Sequence, residues 1–145
     1  ILGEKAFGKG RGEILEPVKI FSDYWGVLAT PEISISTKWA FSSLNFSLTK
    51  SLKKSNFGTF FHRSMDLEFW KTALKNDLEP VIFGAYPKFL NIIRQFYRHG
   101  AFYAQMSGSG SSLFGLYETK DGALKAQQAI TCYKTLLFKP ITKKL

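Results

Sequence analysis

The sequence contains very little cysteine and no long apolar segment. Cys132 is the single cysteine among 145 residues, so no internal disulfide can form and no zinc cage of thiolates is available. No apolar run approaches the roughly 20 residues that a membrane-spanning helix needs, and residues 1–11 lack the hydrophobic segment of a signal peptide. We therefore expect a soluble, cytoplasmic protein that contacts no membrane.

Acidic residues are outnumbered by basic ones. The chain has 11 Asp and Glu against 20 Lys and Arg, which gives a formal net charge of +9 at pH 7. A basic protein attracts phosphate groups and nucleic acid, but a solvated basic surface is the simpler explanation of this charge. Hydrophobic residues make up 45% of the chain and aromatic residues 16%, so a packed core can form.

Residues that commonly bind metals or transfer protons are sparse. His62 and His99 have no carboxylate or cysteine at ligand spacing, so we expect no metal site. Asp77 and Glu79 lie at the predicted start of a helix, where stabilisation of the first turn explains them better than an acid–base pair does. The residues alone therefore indicate no catalytic group.

The spacing of apolar residues predicts an α+β fold. Strands are predicted at 24–29, 101–106, 112–117 and 134–139, and helices at 36–44, from Asp66, at 76–83, at 87–100 and from 121 to about Cys132. The order strand, helices, strand, strand, helix, strand is typical of the ferredoxin-like fold. In that fold one antiparallel sheet has helices packed on one face.

The domain organisation is predicted from glycine and serine content. Residues 1–20 contain four glycines between short extended pieces, which indicates a hairpin that is a remnant of an N-terminal domain or of the connection to it. Residues 21–145 are predicted to form the folded domain. Within it, residues 45–64 are rich in Ser, Thr, Lys and Phe without a clean period, which indicates a loop or a poorly ordered insertion.

A serine- and glycine-rich turn joins two of the predicted strands. It consists of Ser107, Gly108, Ser109, Gly110 and Ser111. Alternating glycine and serine lets the backbone turn sharply and present several N–H groups and hydroxyls together, which suits anionic oxygens. An ordinary glycine-rich hairpin turn is the structural alternative. The segment is not a Walker A sequence, because no Gly-Lys-Ser/Thr closes it.

A second polar segment follows the first predicted strand of the domain. Ser36 and Thr37 supply hydroxyls at the start of a helix, and Lys38 follows them. Phe41, one turn into the helix, can offer its ring face to a base. Simple N-capping and core packing explain the same residues and are favoured over ligand binding on the residues alone.

Four segments taken in order resemble one enzyme family. They read GKGRGEIL from Gly8, ISTKWAF from Ile35, NDLEP from Asn76 and MSGSGSSLFG from Met106. Together they resemble the 4-diphosphocytidyl-2-C-methyl-D-erythritol kinases of the GHMP kinase superfamily, over about residues 3–131. The serine- and glycine-rich turn is similar to the third motif of that superfamily.

The resemblance implies a function and a set of binding residues. Members of the family use ATP and magnesium to phosphorylate the 2-hydroxyl of a cytidine-diphosphate-linked methylerythritol, in the non-mevalonate route to isoprenoids. The resemblance implies that residues 107–111 approach the nucleotide phosphates and the acceptor. It also implies that Phe41 lies against the cytosine of the substrate and that Thr37 and Lys38 line the same pocket.

The resemblance covers only the C-terminal half of such kinases. The family's glycine-rich phosphate loop, its catalytic lysine and its catalytic aspartate have no match in this chain. Phosphoryl transfer depends on positioning and charge stabilisation, so we expect no catalytic residue here, no tight binding of ATP or magnesium, and no kinase activity from this chain alone. The implied partners are the missing N-terminal half and a small cytidyl substrate.

Three alternatives remain open at the level of sequence. The first is a different small-molecule kinase of the GHMP superfamily. The second is a basic, aromatic-rich RNA-binding module on a ferredoxin-like sheet, although no strand resembles an RNP1 segment. The third is a protein-interaction module that self-associates through apolar surface left exposed by the absent half.

Overall fold

The computed structural model describes residues 6–9, 11, 13–18, 22–44 and 66–140. The predicted loop or insertion at 45–64 and His62 lie outside the described residues. The elements are β1 (Ala6–Lys9), β2 (Ile14–Pro17), β3 (Trp25–Thr30), α1 (Thr37–Ser42), α2 (Leu67–Ala73), α3 (Glu79–Ala85), α4 (Pro87–Arg98), β4 (Tyr103–Met106), β5 (Leu113–Tyr117), α5 (Lys120–Ala129) and β6 (Lys134–Phe138).

Two separate sheets are formed by these strands. β1 and β2 pair with each other in antiparallel orientation, as the glycine-rich opening predicts; their origin in an N-terminal domain stays a prediction. The other four strands form one sheet in the order β4-β5-β3-β6, and every neighbouring pair is antiparallel. This strand order is the ferredoxin-like arrangement that the order of elements predicts.

One face of the four-stranded sheet carries the main core. Because successive side chains of a strand point to opposite faces, Ala104 and Met106 of β4 lie on this face while Tyr103 lies on the other. Helices α3, α4 and α5 cover the core face. The largest fully buried side chains are Val27, Ile82, Phe89, Ile92, Phe96, Met106, Leu113, Tyr117 and Ile130.

Helix α4 shows most clearly how local sequence sets an element. It begins at Pro87, whose missing N–H is not needed in a first turn. Its buried residues Phe89, Ile93 and Phe96 recur at helical spacing and face the sheet. The helix ends at Arg98, and Gly100 follows with a φ of 86°, in the left-handed region that glycine adopts without strain.

The opposite face of the sheet carries a smaller aromatic cluster. Trp70 of α2 contacts Phe102 edge to face, with ring centroids 5.8 Å apart and an interplanar angle of 82°. Tyr103 and Leu116 are also buried there. Helix α2 therefore packs on this face, in addition to the three helices on the core face.

The last helix is shorter than its sequence predicts. Helix α5 ends at Ala129, and Cys132 is exposed beyond it. Ile130 leaves the helical conformation with φ of −91° and ψ of 71°, and its side chain is only 2% exposed. Burial of this isoleucine directs the chain into the core, so the helix stops before Cys132.

Two glycine-to-alanine substitutions should change stability in opposite directions. A Cβ at Gly115 would lie 2.8 Å from ring atoms of Phe96, whereas a Cβ at Gly84 in α3 would meet nothing within 4 Å. We expect Gly115→Ala to lower the free energy of unfolding by about 1–3 kcal/mol through overpacking. Gly84→Ala should raise it by up to about 1 kcal/mol through helix propensity. Urea unfolding checks both values, and a neutral Gly115→Ala would contradict the packing described here.

Candidate functional site

A cleft of about 750 Å³ opens beside the turn that follows β4. It lies between this turn, the first turn of α1 and the segment that precedes α3. The residues that line it are Thr37, Phe41, Leu44, Lys75, Asn76, Asp77, Leu78, Gln105, Met106, Ser107, Gly108, Ser109 and Phe114. Two segments that the sequence analysis singled out separately therefore share one cleft.

A direct contact joins the two segments. The hydroxyl oxygens of Thr37 and Ser109 are 3.0 Å apart, within hydrogen-bonding distance, although 72 positions separate them in the sequence. Thr37 is free to make this contact because Ser36 is the N-cap of α1 and accepts from the N–H of Trp39 at 3.3 Å.

The serine- and glycine-rich turn is tight, and its first two residues are exposed. The N–H of Ser107 donates to the carbonyl of Ser112 at 2.8 Å, and the N–H of Gly110 donates to the carbonyl of Ser107 at 3.0 Å. Gly108 and Gly110 have φ values of 56° and 86°, which residues with a side chain adopt only with strain. The turn thus needs glycine at both positions.

Part of this turn has donors that are not used by the fold. Gly108 and Ser109 line the cleft, and their N–H groups donate no backbone hydrogen bond within the described residues. Gly110 and Ser111 lie further from the cleft: Ser111 donates through its hydroxyl to the carbonyl of Pro31 at 3.0 Å. The part of the turn that lines this cleft is therefore its first half.

The charged residues that line the cleft are not the lysine that the family resemblance implies. Lys38 is exposed, but in the described part of the chain it does not line the cleft. Lys75 and Asp77 do so instead. Phe41 lies in the cleft with 53% of its surface exposed, so its ring is accessible to a ligand. The assigned roles of Thr37, Lys38, Phe41 and the turn remain predictions.

Asn76 connects the cleft to the turn in a way that the sequence did not indicate. Its Nδ2 donates to the carbonyl oxygens of Met106 at 3.0 Å and Gly108 at 2.8 Å. Its Oδ1 accepts from the N–H of Leu78 at 3.0 Å. The sequence drew attention to Asn76 only as the first residue of the NDLEP motif. That motif indicated the family but not which residues Asn76 contacts.

Glu79 binds the same strand end rather than stabilising only its own helix. Its Oε1 accepts from the N–H of Met106 at 2.8 Å. Burial raises the pKa of Glu79 above its ordinary value, and the hydrogen bond from Met106 partly offsets this rise. Burial, together with the charge of Glu79, also raises the pKa of Tyr103, so this phenol stays neutral at physiological pH.

The described residues provide no metal centre and no membrane segment. They contain no cluster of three or more His, Cys, Asp or Glu side chains that could hold a metal ion. None of their helices combines the length and hydropathy required to cross a bilayer. The lining of the cleft contains the hydroxyls of Thr37 and Ser109, the charged residues Lys75 and Asp77 and the exposed ring of Phe41.

Comparison with protein families assigns the chain to one of them. The family described as GHMP kinases, C-terminal, matches residues 50–134, which is more than half of the chain. The chain belongs to this GHMP kinase C-terminal family. The class that the fold and the turn indicate is thereby confirmed.

Relatives with curated names specify a branch of that family. The chain is 33% identical over 144 residues to the 4-diphosphocytidyl-2-C-methyl-D-erythritol kinase of Bacteroides fragilis, an overlap of 94% of this chain and 48% of that protein. It is 35% identical over 122 residues to the kinase of the same name from Thermodesulfovibrio yellowstonii, covering 81% and 43% of the two chains. The chain thus spans about half the length of the curated relatives it matches, and the resemblance indicated by the four motifs is confirmed.

A solved structure agrees with the fold. A crystal structure of a 4-(cytidine 5′-diphospho)-2C-methyl-D-erythritol kinase matches with a TM-score of 0.70 and 22% identity, over 94% of this chain and 49% of that one. At this level of identity the likeness establishes the fold alone. It confirms the α+β GHMP kinase C-terminal domain.

The stability of the chain should depend on pH through Glu79. The folded state holds the Glu79 proton more tightly than the unfolded state, so the unfolded state binds fewer protons between the two pKa values and stability falls as pH rises through that window. Glu79→Gln keeps an acceptor for Met106 and removes this ionisation. We expect the stability of Glu79→Gln relative to wild type to increase as pH rises from the ordinary glutamate range through the raised pKa. Urea unfolding at several pH values measures this difference, and a constant difference would contradict the burial of Glu79.

Proposed function

We propose that this chain is the C-terminal part of a kinase that transfers a phosphoryl group from ATP to the 2-hydroxyl of 4-diphosphocytidyl-2-C-methyl-D-erythritol. The names of the relatives support the substrate. The observation that carries the proposal is the 3.0 Å contact between the hydroxyls of Thr37 and Ser109. This contact brings the predicted base-binding segment and the predicted phosphate-binding turn to one cleft.

The first half of the turn is proposed to bind phosphate oxygens. Backbone N–H groups of successive turn residues form a concave set of donors that favours anions. Gly108 and Ser109 supply such groups at the cleft, and Lys75 adds a positive charge to its lining. Because these donors are fixed before the ligand arrives, they can stabilise charge that develops on a transferring phosphoryl group without reorganising.

Phe41 is proposed to bind the cytosine ring. An aromatic side chain that is 53% exposed in a cleft leaves apolar surface in water, so a flat base that covers it gains free energy. Base stacking on an aromatic ring contributes about 1–3 kcal/mol per base in single-stranded nucleic-acid binding. The base and the phosphates of one cytidyl ligand would then be held by two elements of the same cleft.

The cleft is proposed to be one wall of a larger active site. The described residues contain no group of three or more metal-ligating side chains. Asp77 is the acidic residue that lines the cleft, and it is not assigned the role of a base. The phosphate loop, the catalytic base and the metal ligands are proposed to lie on the other half of the enzyme, so this chain alone should not transfer phosphate.

The packing of the sheet favours this proposal over RNA binding. A ferredoxin-like RNA-binding module presents aromatic rings on the open face of its sheet. Here Trp70 packs against Phe102 and Tyr103 on that face, with ring centroids 5.8 and 5.9 Å apart. These rings are engaged in the fold and are not available for stacking on bases.

Substitutions of Phe41 test the assignment of the base site. In a protein that contains both halves, Phe41→Leu should raise the Kd for the cytidyl substrate by about 5- to 150-fold, the equivalent of 1–3 kcal/mol of stacking. Phe41→Tyr, which retains the ring, should stay within a few-fold of wild type, and the Kd for ATP should not change in either variant. Calorimetric titration measures the Kd of each ligand for the wild type and for both variants. A radiolabelled phosphate assay tests the transfer itself.

Two results would contradict the proposed function. One is equal weakening of the cytidyl substrate and ATP by Phe41→Leu, because this would point to general damage of the domain. The other is a lack of phosphate transfer to the cytidyl substrate by the wild-type protein with both halves present.

A further inference from the structure

The turn at the cleft is held from the side by the chain that leads into α3. Asn76 uses both hydrogens of Nδ2 on carbonyl groups of the turn and its strand, at 3.0 Å to Met106 and 2.8 Å to Gly108. Its Oδ1 is occupied by the N–H of Leu78 at 3.0 Å. Each of these contacts fixes the amide in one orientation, because reversal of oxygen and nitrogen would place like groups together.

Glu79 provides a further hydrogen bond that holds the end of β4 in place. Because β4 is the outermost strand of the sheet, the N–H and C=O groups on its outer side have no neighbouring strand to pair with. At Met106 these two groups are taken by Glu79 at 2.8 Å and by Asn76 at 3.0 Å. Two side chains from one short segment thus make the hydrogen bonds that a neighbouring strand would make at this position.

The contact with Gly108 sets the direction of a donor at the cleft. The carbonyl of Gly108 and the N–H of Ser109 belong to one planar peptide group and point in opposite directions. When Asn76 fixes that carbonyl, it also fixes the direction of the Ser109 N–H. This N–H belongs to a residue that lines the cleft, and it donates no backbone hydrogen bond within the described residues.

We propose that Asn76, supported by Glu79, is a positioning residue that orients the Gly108–Ser109 peptide group for the phosphates of the ligand. The inference rests on the proposed function for the identity of that ligand. The hold itself rests only on the four hydrogen bonds described above. Asn76 acts through the turn, and it is not itself a catalytic residue.

Asn76→Asp is the sharpest test, because it conserves size while it removes both donors. The carboxylate would face two carbonyl oxygens, but it would still accept from the N–H of Leu78. In this chain we expect amide hydrogen exchange at Ser107 and Gly110 to become about tenfold faster or more as the turn opens locally. Exchange at Leu78 should remain near that of wild type. NMR resolves each amide separately.

Asn91→Asp is the matched control. Asn91 lies in α4, is exposed and does not line the cleft. The same change of chemistry there should leave exchange in the turn unaltered. If Asn76→Asp does not fold, Asn76→Ala, which removes the side-chain donors without adding a charge, is measured in its place.

Kinetics in a protein with both halves separate positioning from stability. Misplacement of a phosphate donor should lower kcat by on the order of 10²-fold, while KM for the cytidyl substrate changes much less because Phe41 still holds the base. Asn91→Asp should keep the wild-type kcat. A merely structural role would lower the melting temperature and leave kcat per folded molecule unchanged.

The outcomes are distinguishable. Unchanged exchange at Ser107 and Gly110 in Asn76→Asp would overturn the hold on the turn. Faster exchange with unchanged kcat would overturn its role in positioning. If the wild-type protein transfers no phosphate, the proposed function fails, and the exchange measurement on this chain then decides by itself whether Asn76 holds the turn.

Discussion

The register across the centre of the sheet determines where the site forms. Ala29 of β3 pairs with Leu113 of β5, and Leu113 pairs with Met106 of β4. Since β3 and β4 both run antiparallel to β5, their C-terminal ends lie on the same side of the sheet. The chain that leaves β3 enters α1, and the chain that leaves β4 enters the serine- and glycine-rich turn. A register shift of one residue would turn every core side chain to the opposite face, so burial of the core also fixes the site.

The turn follows an edge strand, and the same hydrogen bonds both cover the unpaired backbone groups of that strand and fix the entry of the turn. Unpaired groups at a sheet edge promote unwanted pairing with other chains. Here Asn76 and Glu79 bind the outward groups of Met106, while Ser107 bonds across the hairpin to Ser112. The first two residues of the turn are exposed, yet hydrogen bonds fix the entry of the turn from both sides. Donors in such a turn can face solvent and still keep a defined direction.

Features that depend on local chemistry could be predicted from the sequence. Asp66 caps α2 by accepting from the N–H of Phe69 at 3.2 Å, and Pro87 and Gly100 bound α4 as their backbone preferences dictate. The turn was also found from residue type, since alternating glycine and serine is an unusual local pattern. These interactions join residues that are close in sequence, and a short window therefore contains the information.

Features that depend on contacts distant in sequence could not be predicted in this way. Asn76 and Gly108 are 32 positions apart, so no local pattern indicates their hydrogen bond. The choice of Lys75 rather than Lys38 as the lysine of the cleft depends on where α1 and the segment before α3 lie relative to the turn. The family resemblance identified the motifs that matter but did not say which motif contacts which.

The groups that fold the domain and the groups that line the cleft are largely different. Phe96 is fully buried against the sheet, whereas Phe41 is 53% exposed. Substitution of Phe41 therefore removes little core packing, and ligand affinity can change while the fold persists. Leu78 and Met106 are exceptions, because both line the cleft and both are buried in the core, at 6% and 1% exposed. The backbone of Met106 also accepts and donates the hydrogen bonds that fix the entry of the turn. The end of β4 at Met106 thus links the packing of the core to the position of the turn that lines the cleft.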